Sequence, residues 1–224
     1  MARAQAASSR TGTDTFAERR RLREARAETV LDAAVAIFSE HGYHGASMDE
    51  VAAAAGVSKP AVYAQFGSKE ELYVACIERA AHRFHTALER AVHAADTPEQ
   101  RIWVGILTLL DHVERERAGW TMLFGGQDVR SGAVAQEAAR LRAETTSLIA
   151  ELFTETAAQA GIGGSALEVI EPLGAAFVGT AEGVARWWLQ HPEVPRENLA
   201  MYLMNYVWSG LGGMIEGQVW MPSS

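Results

Sequence analysis

At 224 residues, with 48% apolar and 21% charged side chains, the chain can bury a sizeable core and is unlike disordered or fibrous proteins. Its formal net charge of −8 excludes a uniformly basic nucleic-acid binder, though not a local basic patch. One cysteine, Cys76, rules out an intrachain disulfide and fits a reducing cytoplasm.

The charge is unevenly spread: residues 1–26 hold seven arginines against three acids, whereas residues 80–224 hold ten arginines against seventeen acids. Residues 1 to about 16, rich in Ala, Ser, Thr and Arg, read as unstructured, without the apolar run of a secretory signal. Arg19, Arg20, Arg21, Arg23 and Arg26 follow. They suit either an arm along a phosphate backbone or the solvated start of a helix.

A first helix is expected over about 27–41, where Val30, Leu31, Ala34, Ile37 and Phe38 recur at steps of three and four, with Gly42 as its stop. The stretch from Ser47 to Lys69 then reads as helix, glycine turn, helix. Ser47 with Glu50 is a capping-box pattern, Gly56 can supply the left-handed turn, and Ser58 can cap a second helix with Pro60 in its first turn. Gly67 ends that helix, and Ser68 with Glu71 opens the next. This arrangement lays one helix across a DNA backbone and the following one in the major groove.

The second helix of the pair lacks acids. Ser58, Lys59, Tyr63 and Gln65 can donate to phosphates or base edges, and Pro60, Ala61 and Val62 allow close approach or contact with a thymine methyl. Ser47 and Lys69 flank it as further phosphate partners. Met48, Val51, Val57, Val62 and Phe66 are the expected partners of the first helix's stripe.

Over residues 27–72 the sequence resembles the TetR family of transcriptional regulators. Gly56-Val57-Ser58, the aromatic pair Tyr63 and Phe66, and Ser68-Lys69-Glu70 all fall in register; Gln65 departs from the histidine common there and leaves that base preference open. The resemblance implies an all-α protein: a helix-turn-helix domain followed by a helical domain that binds an effector and dimerises. The expected organisation is a flexible basic arm over 1–26, a DNA-binding domain over 27–75, and an effector-binding and dimerisation domain over 76–221.

A helix from Ser68 should continue to about residue 94 and so enter the second domain. On it Glu78, His82, His85 and Glu89 share a face; a solvated face is preferred to a metal site, and no metal or cofactor is expected. Further helices are expected over 98–110, the aromatic segment 119–124, residues 133–159, and from Ser165, which pairs with Glu168 as a cap, to 190 with Pro172 bending it. Trp103, Leu107, Trp120, Met122, Phe124, Phe177 and Trp187 are candidate walls of an effector pocket. Thr108, Asp111, His112, Glu182 or Arg186 could supply its polar groups.

The last helix, expected over 196–218, is apolar on two opposite faces. One row is Leu199, Leu203, Tyr206, Gly210, Gly213 and Gly217; the other is Met201, Met204, Trp208, Leu211 and Ile215. Burial all round implies a core and a partner. A membrane span is disfavoured because Asn205, Ser209 and the glycines lower the hydrophobicity and no basic cluster flanks the run. The preceding helix is similarly two-sided.

Two copies meeting here would set two reading helices about one DNA turn, ~34 Å, apart on a palindromic operator. The resemblance implies the same dimer and a small hydrophobic or aromatic effector that releases DNA, most often from a repressor. A constitutive DNA-binding or architectural protein without effector is the alternative. An all-helical enzyme is a weaker one, since no nucleophile elbow, phosphate loop, paired cysteines or HExxH occurs.

Overall fold

The computed structural model describes residues 2–124, 132–159 and 170–215, with side-chain surroundings for 18–124, 132–156, 158–159 and 172–209. Nine α-helices and no strand occur among the described residues: α1 Ala2–Gly45, α2 Met48–Ala55, α3 Lys59–Phe66, α4 Lys69–His93, α5 Pro98–Arg115, α6 Arg117–Phe124, α7 Ala133–Gln159, α8 Ile170–Trp188 and α9 Arg196–Ile215. The chain divides into two compact units, Met1–Cys76 and Ile77–Ser224, and α4 belongs to both.

In the first unit, α1 starts far earlier than the apolar periodicity indicates. Residues 16–26 are dense in alanine, arginine and glutamate, all good helix formers, and the helix runs back from them to Ala2 through the Ser, Thr and Gly12 of residues 8–15 instead of leaving an unstructured arm. Gly42 breaks the regular helix as expected, at φ 68°, ψ 172°. The core beneath is made by Val30, Leu31, Ala34 and Phe38 of α1, Met48 and Val51 of α2, Val62 of α3, and Leu72, Tyr73 and Cys76 of α4. Tyr73 meets Phe38 and Tyr43 edge-on at 4.9 and 5.3 Å, closing the core beside the Gly42 break.

In the second unit α7 packs along α8, and α5 along α9. Gly174 permits the first contact: a methyl there would lie 3.2 Å from Ala150 Cβ and 3.3 Å from its Cα. Arg196, at the start of α9, fastens the second pair through Nη1 to Asp111 (2.8 Å) and Glu114 (3.1 Å) of α5. Trp188 donates its indole N–H to Val194 O at 2.8 Å, fixing the turn between α8 and α9. The Ser165–Glu168 cap and the glycines at 125–126 and 161–164 lie outside the described residues. No helix among the described residues is long and apolar enough to cross a membrane.

Candidate nucleic-acid interface and effector cavity

Short-range hydrogen bonds set the ends of α2, α3 and α4. Ser47 accepts from the Glu50 N–H (3.2 Å) while its own N–H donates to Glu50 Oε2 (2.9 Å), so both halves of the capping box are present. Those bonds from Ser47, the side-chain one foremost, hold the Glu50 carboxyl below the usual carboxylate range. Gly56 takes the left-handed conformation, φ 65°, ψ 29°, and Val57 N–H returns to Ala52 O at 3.0 Å, ending α2. The expectation of a Ser58 side-chain cap is corrected: Ser58 has the extended backbone of an N-cap, but its hydroxyl makes no cap bond to α3. Its carbonyl accepts from Ala61 and Val62 N–H instead, and Pro60 removes one N–H that would otherwise need a partner. Ser68 Oγ accepts from Glu71 N–H at 3.0 Å, starting α4.

These caps leave α3 with one buried side chain. Lys59, Pro60, Ala61, Tyr63 and Ala64 are exposed, and Gln65 is half-buried. Val62 is the correction: it is wholly buried, so it packs in the core and cannot touch a thymine methyl. Lys59 lies on the outer face, yet its ammonium is 2.7 Å from Asp49 Oδ2 of α2, and this bond raises its pKa. The acid-free character of α3 therefore does not extend to its surroundings. Lys69 donates to Ala46 O at 2.5 Å and His44 O at 3.3 Å and sits 5.0 Å from the Tyr43 ring centre. It ties α4 to the end of α1. The Ser47 hydroxyl is likewise engaged, donating to Glu50 Oε2 at 2.8 Å.

Alongside α3 runs a groove of about 650 Å³ lined by Arg19, Leu22, Arg23 and Arg26 of α1 and by Gly56, Ala61, Ala64 and Gln65. Arg19, Arg23 and Arg26 follow at steps of four and three, one side of a helix. Arg20 and Arg21 do not line it; Arg20 pairs with Glu24 at 3.4 Å.

The second unit encloses a mostly apolar cavity of about 60 Å³. Trp120, Phe124 and Phe177 line it, as the aromatic content of the segment suggests, together with Phe84, Leu88 and Val92 of α4. Trp103, Leu107, Met122 and Trp187 do not, and helical geometry explains why. On α5 the lining residues are Arg101, Ile102, Gly105 and Leu109, and two-residue steps from Gly105 turn Trp103 and Leu107 to the opposite face. Met122 is similarly opposed to Trp120 and Phe124 on α6. Trp187 is 46% exposed and stacks on His191 at 4.4 Å.

Of the suggested polar groups only Glu182 reaches the cavity, and burial raises its carboxyl pKa. Thr108 donates to Val104 O, and Asp111 is held by Arg115 and Arg196. His112 is buried against Phe84 at 5.2 Å, with its pKa lowered by burial, and Arg186 is exposed. Arg101, Thr145 and Thr156 line the cavity unannounced by the sequence. His85 bonds through Nε2 to Thr145 Oγ1 at 2.8 Å, so it faces the interior. No group of three potential metal ligands occurs among the described residues.

The faces of α9 separate the two apolar rows. Leu199 and Leu203 are buried within the chain, on the side that packs on α5, and are corrected as dimer contacts. Tyr206 of the same row is 68% exposed, and with Met201, Tyr202 and Asn205 it forms the outer face. On α8 Gly174, Phe177, Ala181 and Trp188 turn inward, while Ala175, Ala176, Gly179, Gly183 and Trp187 are exposed. Gly210, Gly213 and Gly217 lie beyond the residues whose surroundings are described.

Residues 30–76 match the profile described as "Bacterial regulatory proteins, tetR family", and residues 98–210 that of "Tetracyclin repressor-like, C-terminal domain". The chain is similar to the HTH-type transcriptional activator FasR of Mycolicibacterium smegmatis, 27% identical over 190 residues and 84% of each chain. It is also similar to a solved TetR-like regulator from Rhodococcus sp. RHA1, at 32% identity and TM-score 0.67, covering 84% of this chain and 96% of that one. FadR of Bacillus subtilis, solved with stearoyl-CoA, shares the fold at 16% identity and TM-score 0.72, over 82% and 98% of the two chains. With the capped helix pair and both profiles in place, the chain belongs to the TetR family of DNA-binding transcriptional regulators.

Proposed function

We propose that this regulator binds a palindromic operator as a homodimer in the cytoplasm and represses until a small hydrophobic or aromatic effector enters the second unit. The observation that carries the DNA reading is α3 itself, a helix whose caps are main-chain and whose side chains, Val62 apart, are turned outward or only half-buried. Lys59, Pro60, Ala61, Tyr63 and Gln65 are its groove-facing residues, with Ser58 at the entry. Ser47 and Lys69 can add phosphate contacts only through donors they share with their internal partners. Arg19, Arg23 and Arg26 extend the same surface as phosphate partners along the groove beside α3.

The dimer reading is supported by the outer faces of α8 and α9. Exposed Trp187, Gly179 and Gly183 on α8, and exposed Met201, Tyr202 and Tyr206 on α9, give each helix an outward apolar face, with glycines on α8 that allow close approach. The effector reading is supported by the apolar cavity. The Bacillus subtilis FadR, which shares this fold, was solved in complex with stearoyl-CoA. Because α4 contributes Phe84, Leu88 and Val92 to the cavity wall and begins at Lys69, an occupant that shifts it moves the start of α4 as well.

A mobility-shift assay with the DNA flanking its own gene, with and without hydrophobic ligands, tests this. A retarded complex that dissolves with ligand is expected. No complex at low salt refutes DNA binding, and equal ligand affinity with and without operator refutes the coupling, because linkage is reciprocal. A reporter rising on deletion of the regulator supports repression; a falling one makes it an activator.

A further inference from the structure

One charged side chain in the cavity wall, Arg101, has a guanidinium nitrogen without a partner. This residue lies in the first turn of α5, is 8% exposed and lines the apolar cavity. Its Nε donates to Ala95 O at 3.4 Å, but Nη1 is buried without a hydrogen-bond partner. A charged donor withdrawn from water and left unpaired is a standing destabilisation that an acceptor entering the cavity would relieve.

The rest of the wall does not relieve it. The Thr145 and Thr156 hydroxyls donate to Leu141 O and Leu152 O of their own helix. The charges that act on Glu182 are those of Arg142 and Arg186, not Arg101. The remaining surface is hydrocarbon, including Phe84, Leu88, Leu109, Leu152 and Phe177.

We propose that the cavity takes a monocarboxylate with a slender hydrocarbon body, and that Arg101 Nη1 receives its carboxylate. This rests on the effector reading above and sharpens it. A neutral ligand would leave the guanidinium buried without a counter-charge. A phosphate would bring a second negative charge and more acceptor oxygens than the two N–H groups of Nη1 can satisfy. A carboxylate matches the single charge and offers acceptor oxygens for the N–H groups of Nη1.

The test is isothermal titration of the full-length protein with straight-chain carboxylates from four to twelve carbons, each beside the alcohol and methyl ester of equal length. At the best-fitting length the carboxylate binds about ten- to a hundredfold more tightly than the alcohol, the range for a hydrogen bond to a charged group. Arg101→Met removes that gap while leaving the alcohol's affinity within a few-fold, and Arg101→Lys keeps most of it. The wild-type comparison stands without any variant, should Arg101→Met not fold. Equal affinity of acid, alcohol and ester for the wild type, or a preference that survives Arg101→Met, overturns the carboxylate assignment alone. Failure of all three compound classes at every length overturns this inference; the wider effector reading falls only if the mobility-shift assay with hydrophobic and aromatic ligands also shows no release.

Discussion

Gly174 offers the sharpest quantitative test of the packing. Alanine in place of glycine inside a helix stabilises it by about 1 kcal/mol, because less backbone entropy is lost on folding. At Gly174 that gain meets an obstacle: the new methyl would lie 3.2 Å from Ala150 Cβ, 3.3 Å from its Cα and 3.5 Å from its N. Two of these three atoms are backbone, so no rotamer change gives way and α7 must move from α8 by a few tenths of an ångström. Overpacking of this kind costs about 1–3 kcal/mol. The balance is a net loss of about 1 kcal/mol, or a fall in Tm of roughly 2–4 °C for a chain of this size. Gly179 is the control. It is exposed, a methyl there meets nothing within 4 Å, and Gly179→Ala should stabilise the isolated chain by about 0.5–1 kcal/mol. Urea unfolding followed by circular dichroism, at one fixed protein concentration, measures both. A Gly174→Ala variant as stable as Gly179→Ala would refute the tight α7–α8 contact. If copies meet on the outer face of α8, Gly179→Ala also raises the dimer dissociation constant in sedimentation, which separates the effects.

Other outcomes follow from the caps, the core and the charges. Ser47→Ala should cost about 1 kcal/mol in chemical denaturation, whereas Ser58→Ala, lacking a cap bond, should cost only a few tenths. Val62→Ala removes two buried methyl groups and should lower stability by about 2 kcal/mol, while Tyr63→Ala weakens DNA binding in fluorescence anisotropy with little change in Tm. Asp49→Asn should tighten DNA binding and Lys59→Ala weaken it, the latter flattening the slope of log affinity against log salt by about 0.9 per copy, about 1.8 for the proposed dimer. Burial lowers the pKa of His85 and His112 below the ordinary 6.5, so the unfolded chain binds more protons in that window. Their contribution is therefore intact above about pH 6.5 and is lost as pH falls towards the folded values; His112→Gln should flatten the decline in a pH series of urea midpoints.

The parts of the fold that depend on near neighbours were legible from the sequence. Ser47 with Glu50, Gly56, Gly67 and Ser68 with Glu71 act within a turn of themselves, so spacing alone locates α2, α3 and the start of α4. The length of α1 was not, because residues 8–15, rich in Ser and Thr with Gly12, show neither helix-forming composition nor an apolar stripe. Orientation was harder. Eight residues make about two turns of α3, too few for periodicity to say whether Val62 faces the core or the groove. In α9 both rows are apolar, and only the packing of α5, with Asp111 and Glu114 on Arg196, assigns Leu199 and Leu203 to the interior. Aromatic content announced a cavity but not its walls, since neighbouring aromatics on one helix point to different sides. Arg101 carried no signal, because an arginine in the first turn of a helix ordinarily reads as solvated.

The single buried position of α3 has a consequence for how this scaffold can change its address. Pro60, Ala61, Tyr63 and Ala64 owe nothing to the interior, and the ends of their helix are secured by carbonyls and glycines. If α3 reads DNA as proposed, exchanging those outward residues would change the sequence sought while Val62 keeps the helix packed. On that reading a few substitutions would re-aim the head at a new operator, provided Val62 is kept.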